Sequence, residues 1–354
     1  MKQQKKRAAI LGATGMVGQR FVRLLENHPQ FEIAALCASS NSAGKKYADA
    51  CRWLVEGEMP QGLRGEKVLG CTAKDVQKAG GADVVFSALP GDAALVAEPD
   101  FARAGMAVVS KASAFRMEPD VPLIIPEVNP EHLGLIERQR KTRKWRGFIS
   151  TDPNCSTLQL AIALKPLHDE FGVRRVFVST MQALSGAGYP GVPGLDIADN
   201  AIPFISGEEE KIEEEIPKLF GSLRAGKISG ANVGVSANCC RINVREGHLE
   251  SAFVELEREA SAREIAQTLE KFKGASQSLK LFSAPRHPIT VRTEDNRPQP
   301  RLDRDAEGGM SVSVGRIRAN GTSARFFVLG HNTIRGAAGN GVLHAELLLA
   351  KGYL

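Results

Sequence analysis

Seven residues near the start constrain this chain more than any others: Gly12-Ala13-Thr14-Gly15-Met16-Val17-Gly18. They follow a short apolar run, residues 7–11 (RAAIL), and open onto Val17, Phe21, Val22, Leu24 and Leu25 at helical spacing. A glycine-rich turn between a first strand and a first helix lets a pyrophosphate come close to the helix N-terminus. Glycines in strand–helix turns also serve plain packing, so the string alone is weak. Its place as the first βα turn is what points to a dinucleotide site. The alternation then continues, with strand-like runs at 31–38 (FEIAALCA), 82–89 (ADVVFSAL) and 106–110 (MAVVS), and a helix-like stretch between the last two. Strands and helices alternating in this way make a parallel sheet with right-handed crossovers.

After residue 150 the pattern changes. Longer strands are expected at 174–182, 239–245, 248–256, 310–318 and 324–330, and the close succession of 239–245 and 248–256 suggests a hairpin. Helices are expected at 156–165, about 208–220 and 260–273, and a small-residue helix at 336–349 that packs back on the first domain. The fold class is therefore α/β: an N-terminal Rossmann-like dinucleotide-binding domain, 1–153, and an α+β domain, 154–330, with a largely antiparallel sheet. The segment 331–354 returns to the first domain. A chain of 354 residues suits two domains.

Composition removes several classes. No apolar run approaches the 18–20 or so residues of a membrane span, and the N-terminal MKQQKKR lacks the apolar stretch of a secretory signal. A cytoplasmic address follows. The six cysteines form no C-x-x-C pair and no zinc-like grouping, so no metal is expected and the thiols should be reduced. Adjacent Cys239 and Cys240 read as two buried strand residues rather than a redox pair. The formal charge of +6 is dispersed apart from the N-terminus and 137–146 (ERQRKTRKWR), which suits an anionic small molecule better than nucleic acid.

The residue types then indicate chemistry. The second strand ends in Cys37-Ala38-Ser39-Ser40-Asn41-Ser42, followed by Lys45-Lys46. NAD-selective sites usually place a carboxylate there; hydroxyls and an amide suit a 2′-phosphate, so the expected cofactor is NADP. Downstream, Asp152-Pro153-Asn154-Cys155-Ser156-Thr157 precedes the apolar run LQLAIAL, which puts Cys155 at a helix start. Free N–H groups and the positive dipole end there favour a thiolate and can hold an oxyanion. A lone cysteine is more often a small buried hydrophobe; the asparagine before it and the hydroxyls after it turn the reading towards a nucleophile.

A nucleophilic cysteine wants a base, and His248 is the candidate. Arg241 lies seven residues earlier, so strict alternation within a hairpin puts the two on opposite faces unless Glu246-Gly247 resets the parity. His28, His132, His168 and His344 read as solvated residues on helix surfaces or ends, while His287 and His331 fall in loops. The run 208–215 (EEEKIEEE) is by default a solvated helix. Glu208 and Lys211 nevertheless share one face, which could hold an amine and a phosphate. Both readings stay open.

The combination resembles the aspartate-β-semialdehyde dehydrogenase family, in the branch found in archaea, fungi and some bacteria. The similar strings run in order along almost the whole chain: GATGMVGQRFVRLL at 12–25, SKASAFRM at 110–117, PLIIPEVN at 122–129, DPNCST at 152–157, MQALSGAGYPGVPGLD at 181–196, IPFISGEEEKIEEE at 202–215, CRINVREGH at 240–248 and HNTIRGAAGNGVL at 331–343. The resemblance implies reversible, NADPH-dependent reductive dephosphorylation of L-aspartyl 4-phosphate to L-aspartate 4-semialdehyde through a cysteine thioester, in lysine, threonine and methionine biosynthesis. It implies Cys155 as nucleophile and His248 as acid/base. Arg241 would hold the substrate carboxylate, Glu208 its amine, Arg116 and Lys211 the phosphate, and Gln182 the acyl group. Gly12, Thr14, Gly15, Met16, Val17, Ser39, Ser40, Ser42, the loop Ser185-Gly186-Ala187-Gly188 and Asn332 would touch the cofactor. A homodimer or homotetramer built through the second domain is implied as well.

Three other readings compete. A malonyl-CoA type reductase on the same scaffold has no need of Glu208, Arg241 and Asn154. N-acetylglutamyl-phosphate reductase presents no free amine to Glu208. A non-catalytic NADP-sensing protein would leave a full nucleophile, base and phosphate set idle.

Overall fold

The computed structural model describes residues 4–354, so the first three residues of the charged N-terminal segment lie outside it. Strands β1 (Lys6–Leu11), β2 (Phe31–Ala38), β3 (Leu69–Gly70), β4 (Val84–Ser87), β5 (Ala107–Ser110) and β6 (Phe148–Thr151) form one sheet in the order β3-β2-β1-β4-β5-β6. Every pairing in it is parallel. The reason is visible in the residues: β4, β5 and β6 are buried along their whole length, as strands covered on both faces must be. The strand order reverses between β1 and β4, which opens a crevice at the carboxyl ends of the strands.

Helix α1 (Met16–Leu25) leaves that crevice directly after the glycine turn and buries Phe21, Val22 and Leu25. Two of the glycines are sterically required. Gly12 has φ +74°, and a Cβ on it would sit 2.7 Å from the Ala88 carbonyl oxygen. A Cβ on Gly18 would fall 2.1 Å from the Gly12 carbonyl oxygen, so only glycine lets the helix start against the turn. Helix α2 (Gly91–Arg103) covers the sheet further along.

The second sheet contains β7 (Val173–Gln182), β8 (Ala201–Ile202), β11 (Gly234–Ile242), β12 (His248–Leu256), β13 (Ile289–Arg292), β14 (Val312–Asn320) and β15 (Ser323–Gly330), while β9 (Ser222–Arg224) and β10 (Lys227–Ser229) pair separately. Its order is β13-β14-β15-β12-β7-β11-β8. Two pairings are parallel, β13 with β14 and β7 with β11, and the rest are antiparallel. The sheet is mixed and mostly antiparallel.

One expectation is overturned here. The strands expected at 239–245 and 248–256 do not form a hairpin, because β7 lies between β11 and β12 and pairs with both. Residues 243–247 instead step across β7, a distance of about 10 Å at ordinary strand spacing. Helices α3 (Cys155–Phe171), α4 (Glu208–Leu219) and α5 (Ala262–Lys271) cover one face of this sheet, in a core that includes Leu160, Leu164, Ile212, Val254, Ile265 and Phe326. The opposite face is bare, with Phe177 and Phe253 exposed and their rings 6.3 Å apart.

Helix α6 (Gly339–Ala350) returns to the first sheet, where Val342, Leu343 and Leu347 share a core with Ile10, Phe21 and Phe86. Three histidines read as solvated are enclosed, His28 and His344 by this returning helix and His132 by the segment around Gly221. His28, His132 and His344 are buried. His28 Nε2 meets Glu346 Oε1 at 2.9 Å, His132 lies between Asn129 and the Gly221 carbonyl, and His344 Nδ1 meets Asp152 Oδ1 at 2.8 Å. These three are turned inward by distant segments, while His168 stays half-buried near the end of α3. Among the described residues no helix is long and apolar enough to cross a membrane.

Candidate active site

A cleft of about 480 Å³ runs along the carboxyl ends of the first sheet and under the loop after β7. That is an ordinary size for a small-molecule site. Gly12, Thr14, Gly15, Met16, Val17 and Ser39 line one half. Ser185, Gly186 and Gly188 close over it from the loop after β7, and Asn332, just past β15, donates to Ser185 Oγ at 2.8 Å. Three residues expected at the cofactor are not part of the lining: Ser40, Ser42 and Ala187. The turn after β2 explains the first two, since only Ser39, next to the strand end, faces inward while the chain curls away through Ser42 N–H to Ser39 O. No carboxylate stands at that strand end, and the glycine turn has the shape a dinucleotide pyrophosphate needs.

Cys155 is the first residue of α3, at the other end of the cleft. Asn154 caps this helix: its Oδ1 accepts from Ser156 N at 2.8 Å and Thr157 N at 3.2 Å. Cys155 Sγ lies 3.2 Å from His248 Nε2. The Ala183 backbone N–H donates to His248 Nδ1 at 3.0 Å, so a neutral ring carries its proton on Nε2 and points it at the sulfur. This pair is matched when the sulfur accepts, as a thiolate does. Burial, then Arg241 and His331, hold His248 well below the usual histidine range, which keeps it neutral.

Helix position alone led to the expectation of an activated thiolate, and burial changes that for the ligand-free protein. The Cys155 thiol is pushed up to about 12, by burial first and by Glu208 second, against Arg116, Arg241 and Lys111. Desolvation outweighs the cations until the local charge changes.

The parity question between Arg241 and His248 dissolves, because they sit on different strands flanking β7. Arg241 is opposite Gln182, and Leu249, next after His248, is opposite Met181. Arg241, Gln182 and His248 thus occupy one row across three neighbouring strands. All three are buried. The loop after β7 lies directly on them: a Cβ on Gly186 would sit 2.9 Å from Arg241 Nη1 and 3.0 Å from His248 Cε1.

Helix α4 brings its acidic face to the start of α3. Glu208 accepts from Asn154 Nδ2, and Glu215 Oε2 accepts from the Asn154 backbone N–H at 2.7 Å. Glu215 Oε1 also takes Arg116 Nη1 at 2.9 Å. The default reading of this run as a solvated helix therefore fails for Glu208 and Glu215, which are buried. Lys211 is half-buried and pairs with Glu208 at 3.5 Å, outside the cleft lining.

Several residues in the site had no assignment from sequence. Lys111 follows β5, lines the cleft and meets Asp152 Oδ2 at 3.1 Å. Gly336 brings the chain against the nucleophile, where a Cβ would fall 2.8 Å from Cys155 Cβ. Glu246 accepts from Arg20 at 2.8 Å and from Thr333 Oγ1 at 3.2 Å, tying α1 to the connection that leads into His248. Of these, only Lys111 had a usable signal, its place just beyond a parallel strand.

Known proteins are similar to this chain along nearly its whole length. The family models for the semialdehyde dehydrogenase NAD binding domain and the semialdehyde dehydrogenase dimerisation domain match residues 7–136 and 164–335. The chain is 53% identical over 342 residues to aspartate-semialdehyde dehydrogenase of Methanothermobacter thermautotrophicus, covering 96% of this chain and 97% of that one. It is 43% identical over 353 residues to malonyl CoA reductase (NADP) of Metallosphaera sedula, covering 98% of each. The crystal structure of aspartate semialdehyde dehydrogenase with NADP from Candida albicans matches with a TM-score of 0.90 at 42% identity, over 99% of this chain and 100% of that one.

Proposed function

Because the chain belongs to the aspartate-semialdehyde dehydrogenase family, we propose that its cleft interconverts L-aspartyl 4-phosphate and L-aspartate 4-semialdehyde with NADPH, as a step of amino-acid biosynthesis. It is an oxidoreductase. The observation that carries the reading is a sulfur at a capped helix start, 3.2 Å from a neutral histidine, between a buried guanidinium and a buried carboxylate. Those opposite charges suit the two ends of an amino acid.

In this reading Arg241 binds the α-carboxylate, Glu208 the ammonium, and Arg116 and Lys211 serve the phosphate. Gln182 orients the acyl group. Cys155 sulfur attacks the acyl carbon, the carbon–oxygen bond to phosphate breaks, and a thioester remains on the enzyme. NADPH, held by the glycine turn, Ser39 and the Ser185–Gly188 loop, supplies a hydride when bound. The carbon–sulfur bond then breaks and the sulfur keeps the electron pair. His248 hydrogen-bonds the sulfur and moves the protons, an effect of about 10²–10⁴ in rate for such a group. Uptake of a second proton requires the Ala183 N–H to leave Nδ1.

The substrate also supplies what the resting thiol lacks. Glu208 raises the Cys155 pKa, and an ammonium paired with Glu208 removes that opposition. Activation of the nucleophile is then tied to arrival of the right substrate. The bare face of the second sheet, with Phe177 and Phe253, is assigned to contact with a second copy of the chain, in keeping with the dimerisation domain.

The malonyl CoA reductase relative makes one alternative concrete. An acyl-CoA substrate without an amine makes no use of the buried Glu208 carboxylate beside the nucleophile, which favours the aspartyl reading. The test is NADPH formation with aspartate semialdehyde and phosphate, against malonate semialdehyde and CoA. Preference for the first pair is expected, and Arg241→Lys and Glu208→Ala should lower kcat/KM for the semialdehyde by about 30-fold or more. Preference for the second pair overturns the reading. A higher kcat/KM with NAD than with NADP would overturn the cofactor assignment alone.

A further inference from the structure

Lys111 has the properties of a ligand-binding group that the reaction as described does not use. Its side chain is only 8% exposed, yet it lines the cleft beside Arg116, Asn154 and Cys155. An ammonium has three N–H donors. Asp152 Oδ2, at 3.1 Å, is its one hydrogen-bond partner among the described residues. Donors that are buried and unmatched are costly unless something in the cleft accepts from them.

The mount beneath it is rigid. Asp152 is fully buried, and its other oxygen accepts from Asn340 Nδ2 at 2.9 Å and His344 Nδ1 at 2.8 Å. His344 Nε2 in turn meets Ser150 Oγ at 2.9 Å. Helix α6 and β6 thus fix the carboxylate that fixes the ammonium.

Lys111 is also bound to the guanidinium assigned to phosphate. Arg116 Nη2 donates to the Lys111 carbonyl at 2.7 Å, so one short loop presents both cations. Burial and Arg116 both lower the Lys111 pKa, opposed by Asp152. Two neighbouring like charges repel in the free protein, and a dianion between them turns that repulsion into attraction. In the ligand-free chain Lys211 is paired with Glu208 outside the lining, whereas Lys111 and Arg116 already face the cleft; Lys211 joins them once a substrate ammonium has taken Glu208.

We propose that Lys111 binds the phosphoryl group together with Arg116, gripping it as it leaves the acyl carbon and again when phosphate attacks the thioester in reverse. The proposal rests on the reading of Cys155 as the residue that carries the acyl group. In the oxidative direction, Lys111→Met should raise KM for phosphate by about 10- to 100-fold, the usual effect of losing a hydrogen bond to a charged group. KM for aspartate semialdehyde and for NADP should stay within about threefold. The single-turnover NADPH burst in the absence of phosphate, which reports acyl-enzyme formation alone, should slow far less than the phosphate KM rises, Lys111 being the least of the cations that lower the Cys155 pKa.

The single variant leaves Asp152 buried and unpaired, so Lys111→Met/Asp152→Asn, which removes both charges, should show the same phosphate defect. In the wild-type protein, phosphate should shield Lys111 from reductive methylation, read by mass spectrometry. A phosphate KM within threefold of wild type in the folded variants, a burst slowed as much as KM rises, or equal labelling with and without phosphate would each overturn the proposal. No burst in the wild-type protein would instead overturn the role of Cys155, which separates the two failures.

Discussion

Asn154 offers the sharpest test of how the nucleophile is held, because its side chain performs two separable tasks. Its Oδ1 caps α3 and its Nδ2 donates to Glu208. Asn154→Ser keeps a cap and loses the Glu208 donor, costing about 1.5–3 kcal/mol, the range for a hydrogen bond to a charged group. Asn154→Ala loses the cap too, a further 0.5–2 kcal/mol or so. Asn154→Asp keeps the cap but sets a second carboxylate against Glu208. At about 4 Å and an effective dielectric near 20 that repulsion is about 4 kcal/mol.

The expected stability order at pH 8 is therefore Asn, Ser, Ala, Asp. Helix capping alone ranks Asp with Asn and above Ala. Urea midpoints decide between the two orders. The sign with pH follows from the pair: in the aspartate variant one folded-state carboxyl pKa is raised, so the added destabilisation is present at high pH and fades as pH falls and a proton is taken up. The gap between the Asp and Ser variants should be smaller at pH 5.5 than at pH 8. Turnover should fall with the same order, since misplacing the sulfur by about 1 Å costs about 10²-fold. An aspartate variant as stable as the serine variant at pH 8 would refute the placement of Glu208 against Asn154.

Three further outcomes are expected. Cys155→Ala should abolish turnover with NADP binding nearly intact by fluorescence titration, while Cys239→Ala, buried on β11, retains substantial activity; the reverse pattern means the wrong thiol. The ligand-free Cys155 thiol, pushed up to about 12, should alkylate slowly at pH 7 and roughly tenfold faster per pH unit up to about pH 10. A plateau below pH 9 would show a thiolate already formed. Glu250 is fully buried, accepts from Gln159 Nε2 at 2.7 Å, and burial holds its carboxyl well above the usual range. The folded state keeps a proton that the unfolded chain has lost above about pH 4.3, so stability drains as pH rises. Glu250→Gln should lose less Tm between pH 5 and pH 8 than the wild type, and parallel curves would refute it.

Local pattern was enough to place the glycine turn and the start of α3, but not to tell which residues after β2 face the cleft. The glycine turn between β1 and α1, the apolar strands and the capped start of α3 are all set by neighbours within a few residues, through backbone sterics, hydrophobic period and the needs of a helix end. Cys155 and the turn stand where the residues around them indicated. The acidic run shows the limit of that reading: Glu208 and Glu215 look solvated on any charge count, and only the docking of α4 against α3 buries them at Asn154.

Partnership over distance was decided by the tertiary structure. Periodicity states which face of a strand is apolar but not which strand lies beside it, so a close pair of strands looked like a hairpin until β7 came between them and aligned Arg241, Gln182 and His248 in one row. The same holds for charge. Whether a histidine or lysine is solvated, structural or poised for a ligand depends on what a segment tens to hundreds of residues away places against it. His344 from α6 and Asp152 after β6 meet only in the folded chain, and with them Lys111 is fixed in the cleft. Burial then set the protonation of Cys155 and His248, because desolvation is a property of the whole packed site and not of any residue type.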